Sequence, residues 1–199
     1  FSDWCPSGNG MIVRSRQRNT TQLYYLKNRM GKPEQLTDFK DPIANAIYCP
    51  DPNMNYLIYV KDINGTEKHQ FYRYDMLTGV STLITDGINR HIRPKFNHSG
   101  DKIAYSSNAR TGMLEDVYVM DPEHPEDYKI VFESRRPSYL YPYSWFYDDK
   151  RILVLEVISI NETNTYIVDS ESGEYTLLNS GTDGSCFYGM IYASNKNDY

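Results

Sequence analysis

An internal repeat is the feature that most limits what this chain can fold into. Aromatic residues standing just before polar turns recur at Trp4, Tyr48, Phe96, Trp145 and Tyr192, at spacings of 44, 48, 49 and 47 residues. A turn follows each anchor ("CPSGNG", "CPDPNMN", "NHSGD", "FYDDK", "ASNKND"), and after the first four a short strand follows ("MIV", "YLIYV", "KIAYSS", "RILVLEV"). A polar loop leads to a second strand, at Thr21, Gln70, Asp116 and Asn164, and a last one closes each unit ("PEQLT", "STLIT", "KIVFE", "YTLLN"). Three of the second strands end in Asp75, Asp121 and Asp169. In two of these units a glycine stands four places on, the pattern of a tight turn whose glycine takes positive φ and whose aspartate bonds local N–H groups.

Runs of four to seven alternating residues between Gly, Asn, Asp and Pro recur throughout, and no window shows the i, i+3, i+4, i+7 spacing of an amphipathic helix. Four strands in each 44 to 49 residues match the blade of a β-propeller. An immunoglobulin-like sandwich has short strands but no repeat of this period. The expected fold is therefore all-β: a propeller of four-stranded antiparallel blades, about four in number, near 1–38, 44–86, 91–134 and 140–180, with a fifth starting over 186–199. Because both ends cut through a blade, the chain is expected to be a fragment of a larger propeller.

Composition narrows the function classes. A net charge of -5 and a pI near 5.4 disfavour nucleic acid as a partner, since binding it requires clustered Lys and Arg to displace counterions. The longest apolar run, around Ile152 to Ile158, is far too short for a membrane span. Cys5, Cys49 and Cys186 are an odd number at no metal-ligand spacing, and the four histidines, His69, His91, His98 and His124, form no zinc motif. No metal or cofactor is expected. The thiols suggest a reducing, cytoplasmic setting. N-x-[ST] acceptors at Asn19, Asn64, Asn97 and Asn161 would suit a periplasmic or secreted alternative.

The stretch from Lys95 to Glu133, "KFNHSGDKIAYSSNARTGMLEDVYVMDPEHPEDYKIVFE", resembles the blade motif of the prolyl oligopeptidase family of serine peptidases, and more weakly the propeller of the Tol-Pal system. With "QLTD" at Gln35, "LITDGINRHIRPKF" at Leu83 and "EVISINETNTYIVDSESGEYTLL" at Glu156, it looks like the acylaminoacyl-peptidase and dipeptidyl-peptidase-like members. The usual Ser-Pro-Asp-Gly turn is replaced by "NHSG" and "YDDK". The resemblance implies an N-terminal propeller that gates a C-terminal α/β-hydrolase domain of the same polypeptide, with peptide substrate entering through the propeller channel. It also implies hydrolysis of short peptides by a serine, a histidine and an aspartate.

None of those catalytic residues is expected in this chain. A nucleophile elbow needs G-x-S-x-G between strand and helix, and the nearest approach, "GVSTL" around Ser81, lacks the second glycine. What the chain offers instead are channel-facing candidates. Strand alternation predicts His91, Arg93 and Lys95 on one face, where positive potential would attract a peptide carboxylate. Glu156 interrupts the apolar strand "ILVLEVISI", where it meets a substrate amine, emerges at the strand end or requires a buried partner. The alternative function is a non-enzymatic scaffold for protein partners, like the Tol-Pal propeller. Sialidase and WD-repeat propellers are excluded by their missing motifs.

Overall fold

The computed structural model describes residues 3–17, 19–28 and 30–180. The expected fifth unit, with Cys186 and Tyr192, lies outside them. The described chain contains sixteen strands and no helix, and hence no helix long and apolar enough to cross a membrane. The strands form four antiparallel sheets of four, each built from consecutive strands, so every sheet is one repeat of the sequence and has the make-up of a propeller blade. The chain divides into two compact units, Phe1–Arg90 and His91–Tyr199, each holding two blades.

In the first unit, β1 (Asp3–Trp4), β2 (Met11–Ser15), β3 (Gln22–Leu26) and β4 (Glu34–Gln35) make one blade. The second is made by β5 (Ile43–Tyr48), β6 (Tyr56–Lys61), β7 (Gln70–Asp75) and β8 (Ser81–Leu83). β6 is buried along its whole length and reads "YLIYVK", while β8 is exposed and reads "STL". Ile12, Leu23, Ile43, Leu57 and Tyr59 form the core between the two blades, each contributing about 1.5–3 kcal/mol of burial. The tyrosine excess is used across strands. Tyr59 stacks on its register partner Tyr72 with centroids 5.0 Å apart, and Tyr105 does the same with Tyr118 at 5.4 Å in the second unit. Burial pushes the hydroxyls of Tyr59 and Tyr118 up to about 12, so both stay neutral.

The second unit repeats the plan. Its blades are β9 (His91–Phe96), β10 (Ile103–Ser107), β11 (Asp116–Met120) and β12 (Tyr128–Phe132), then β13 (Tyr139–Trp145), β14 (Arg151–Ser159), β15 (Glu162–Asp169) and β16 (Tyr175–Ser180). Ala104, Val117, Leu140, Trp145, Ile152 and Val154 pack between them. Trp145 Nε1 also donates to the Lys95 carbonyl across the two blades at 2.9 Å.

The turn aspartates act as the sequence predicts. Asp75 Oδ1 accepts from the N–H groups of Leu77 and Thr78 and from the Thr78 hydroxyl, and Asp169 Oδ1 accepts from Glu171, Ser172 and the Ser172 hydroxyl. Gly79 and Gly173 then take φ of 72° and 74°. The "NHSGD" turn is closed by buried Asn97, whose Oδ1 accepts from Gly100 and Lys102 N–H, so this one of the four N-x-[ST] acceptors is sealed in the fold.

A second recurrence escaped the sequence reading. A buried polar residue opens the third strand of the first three blades, Gln22, Gln70 and Asp116, and Asn164 stands two residues into that of the fourth. Gln22 Oε1 accepts from the Thr37 hydroxyl (2.9 Å) and Phe39 N–H (3.0 Å), while Leu23 N–H donates to Thr37 Oγ1. Gln70 does the same with Thr85 (2.7 Å) and Gly87 N–H (3.0 Å), and Phe71 N–H donates to Thr85 Oγ1. Asp116 accepts from Ser134 N–H at 2.7 Å. In the first three blades this latch ties the segment leaving the fourth strand back to the third strand, which satisfies backbone groups at a buried loop.

Candidate functional site

β9 and β13 are first strands and therefore edges of their sheets, and they lie side by side in the second unit. Both deviate from regular pairing next to a proline. In β9, Ile92 pairs with Ser106 and Lys95 with Ala104, so Arg93 and Pro94 together oppose one residue, Tyr105. In β13 the register shifts between Pro142 and Ser144. Edge strands tolerate proline because its missing N–H has no ladder partner to serve, and a bulge re-aims the side chains around it.

The bulge corrects the face assignment read from alternation. His91 and Phe96 share the face of Ser107 and Ile103, whereas Ile92 and Lys95 share that of Ser106 and Ala104, so His91 and Lys95 point to opposite sides. His91 is buried, with its ring 5.9 Å from Tyr105. Arg93 is exposed and takes φ of 57°, a left-handed conformation that costs a non-glycine residue about 1–2 kcal/mol. Its guanidinium carbon lies 3.8 Å from the centroid of the Tyr141 ring. Tyr139, two residues along the same face of β13, is exposed and stacks on Tyr141 at 6.2 Å with planes 12° apart. The edge thus presents a cation on an aromatic platform, worth roughly 0.5–1 kcal/mol at an exposed site.

Glu156 is placed differently. It is buried in β14, and Arg136 approaches it with both Nε (2.9 Å to Oε1) and Nη2 (3.1 Å to Oε2). Ser138 donates to Oε1, and Asn164 and the Tyr166 hydroxyl donate to Oε2. Burial pushes the carboxyl up, but these donors outweigh it and hold it at about 2. Five hydrogen bonds leave no lone pair directed at a ligand. Asn164 is the buried polar residue near the start of the third strand, so in the fourth blade the latch position has become part of an ion-pair network.

At the other end of the same strands, Asp149, with φ of 54°, clasps the neighbouring blade. Its Oδ1 accepts from His98 N–H and lies 2.8 Å from His98 Nδ1, and its Oδ2 accepts from Ser99 N–H. This is not a catalytic dyad with a nucleophile: the Ser99 hydroxyl donates to Asp101, and no hydroxyl or thiol among the described residues bonds His98. Ser81 lies in β8, paired with Tyr74. Among the described residues no group of three His, Cys, Asp or Glu is placed to hold a metal ion. The chemistry available at the β9–β13 edge is recognition through charge, stacking and free strand edges.

No protein-family model and no curated protein matches the chain. Solved structures do match it. TolB from Acinetobacter baumannii aligns over 90% of this chain and 43% of its own, with 18% identity and a TM-score of 0.67. Prolyl endopeptidases align over 86% and 28%, with 14% identity and a TM-score of 0.68. The tricorn protease aligns over 90% and 22%, with 11% identity and a TM-score of 0.66. The chain spans less than half the length of each of these proteins, and it shares their propeller fold.

Proposed function

We propose that the chain belongs to the propeller domain of a prolyl-oligopeptidase-family serine peptidase, where it admits and positions short peptides. The observation that carries this reading is the likeness of its blades to those of prolyl endopeptidases over most of its length, together with the family-like segments of its sequence. In such a protein a serine elsewhere in the polypeptide attacks the peptide carbonyl, a histidine takes and returns the proton, and an aspartate orients the histidine. The propeller contributes exclusion and orientation, which raise the effective concentration of a correctly placed peptide. The 199 residues alone are expected to hydrolyse nothing. A cytoplasmic setting is proposed on the odd cysteine count of the sequence.

A scaffold of the TolB kind is the second reading, favoured by a fold likeness as good as that to the peptidases. The two separate on the native polypeptide that contains this sequence, labelled with a fluorophosphonate and weighed intact. A mass well above 23.2 kDa carrying the label supports the peptidase. An unlabelled protein overturns it in favour of the scaffold.

A further inference from the structure

The segments that form and lead into the β9–β13 edge, 91–96 and 135–145, contain four basic residues, Arg93, Lys95, Arg135 and Arg136, and no carboxylate, in a chain of net charge -5. Arg136 is spent on Glu156. Arg93, by contrast, forms no ion pair among the described residues, although the fold holds it in a costly left-handed conformation. Its guanidinium carbon lies 3.8 Å over the centre of the Tyr141 ring, and a guanidinium held by such a contact keeps the N–H donors with which arginine forks a carboxylate through two parallel hydrogen bonds. Tyr139 extends the aromatic surface beside it. Pro94, next to Arg93 in the bulge of this edge strand, has no N–H to offer, and the bulge interrupts the regular ladder that an added strand would extend.

From these observations we infer that Arg93, Tyr141 and Tyr139 form a docking site for the free C-terminal carboxylate of a peptide, with the last side chain apolar and lying against the tyrosines. This deepens the peptidase reading and rests on it only for the choice of a peptide as occupant. The site would hold one end of the substrate, so that peptide length sets which bond reaches the catalytic serine.

The test uses the native polypeptide, treated with fluorophosphonate so that no peptide is consumed, and fluorescence anisotropy with three N-terminally labelled hexapeptides. One ends in Phe with a free carboxylate, one in Phe amide, and one in Glu amide, which carries its carboxylate on the side chain. The free acid is expected to bind at least about tenfold tighter than Phe amide, as loss of a charge-assisted pair implies. Glu amide should not recover that gain. Arg93→Asn, a residue that tolerates left-handed backbone, should erase the preference, and Arg93→Gly provides the same comparison with the strain relieved. Tyr141→Leu should weaken the acid without abolishing its advantage. Equal binding of acid and amide, no binding of either, equal binding of Glu amide and the acid, or an acid preference that survives Arg93→Asn and Arg93→Gly would each overturn the site. A protein that resists the fluorophosphonate yet prefers the acid would keep the site and remove the peptidase reading. One that labels but shows no preference would do the reverse.

Discussion

Glu156 shows how a single residue changes meaning once its neighbours are known. In the sequence it is a charge breaking an apolar strand; in the fold it is a buried carboxylate with Arg136, Ser138, Asn164 and Tyr166 around it. Its partners lie 20, 18, 8 and 10 residues away, and of these only Asn164 stands opposite it in strand register. Glu156→Gln keeps the shape but removes the charge from a donor-rich pocket, and should cost about 1–3 kcal/mol, read as a lower urea midpoint with unchanged slope. The sign with pH follows from the lowered carboxyl. Its ordinary value is 4.5 and its folded value about 2, so the stabilisation is full above pH 4.5 and is lost as pH falls toward 2. The Gln variant should therefore show a shallower decline than the parent across that window. An equally steep decline would mean that other groups carry it.

At the scale of strands and turns, most of the architecture was legible in the sequence and the edge was not. Alternation and turn residues mark β6, β10 and β14 because both determinants are local. The bulge at Arg93 was not legible, because it reflects how Pro94 sits against β10, and it turns His91 and Lys95 onto opposite faces. The latch was visible only as the recurring "LTD" and "ITD" segments, without the glutamines they bind. Thr85→Val should cost about 1–2 kcal/mol, since it takes away the side-chain acceptor of the Phe71 N–H and one of the two donors to the Gln70 side-chain oxygen, leaving Gly87 N–H as the other. A thermal midpoint within error of the parent would show the latch to be dispensable. The paired glycines give a comparison free of side-chain loss. Alanine is strained at either, but at Gly173 its Cβ would also lie 3.1 Å from the Val131 carbonyl oxygen, whereas at Gly79 it meets only the Tyr74 hydroxyl at 3.6 Å. Gly173→Ala should thus lower the urea midpoint more than Gly79→Ala, and the reverse order would contradict this local geometry.

At the scale of the whole molecule, seven carboxylates act in one direction. Asp75, Asp101, Asp148, Asp149, Asp169 and Glu171 are all held below their ordinary range by hydrogen bonds or cationic partners, as Glu156 is. Each such group stabilises the fold above its unfolded value and withdraws that support as it becomes protonated. Denaturant stability should therefore fall steadily as pH is lowered from about 5 toward 2. A flat profile there would show that these turns and clasps do not respond to protonation as drawn.

The latch also bears on how such a chain came to exist. In the first three blades, the side chain at the start of the third strand and the segment it closes belong to one repeat, as Gln22 with Thr37 and Gln70 with Thr85 show. A duplication that copies one blade copies both halves of its own fastening, and the new blade needs nothing from its neighbour to close its loop. The clasp from Asp149 to His98 lacks that property, because its halves lie in different blades. Parts that travel together can be inherited unchanged while the rest of the repeat drifts, and parts shared between copies must be acquired again after each duplication.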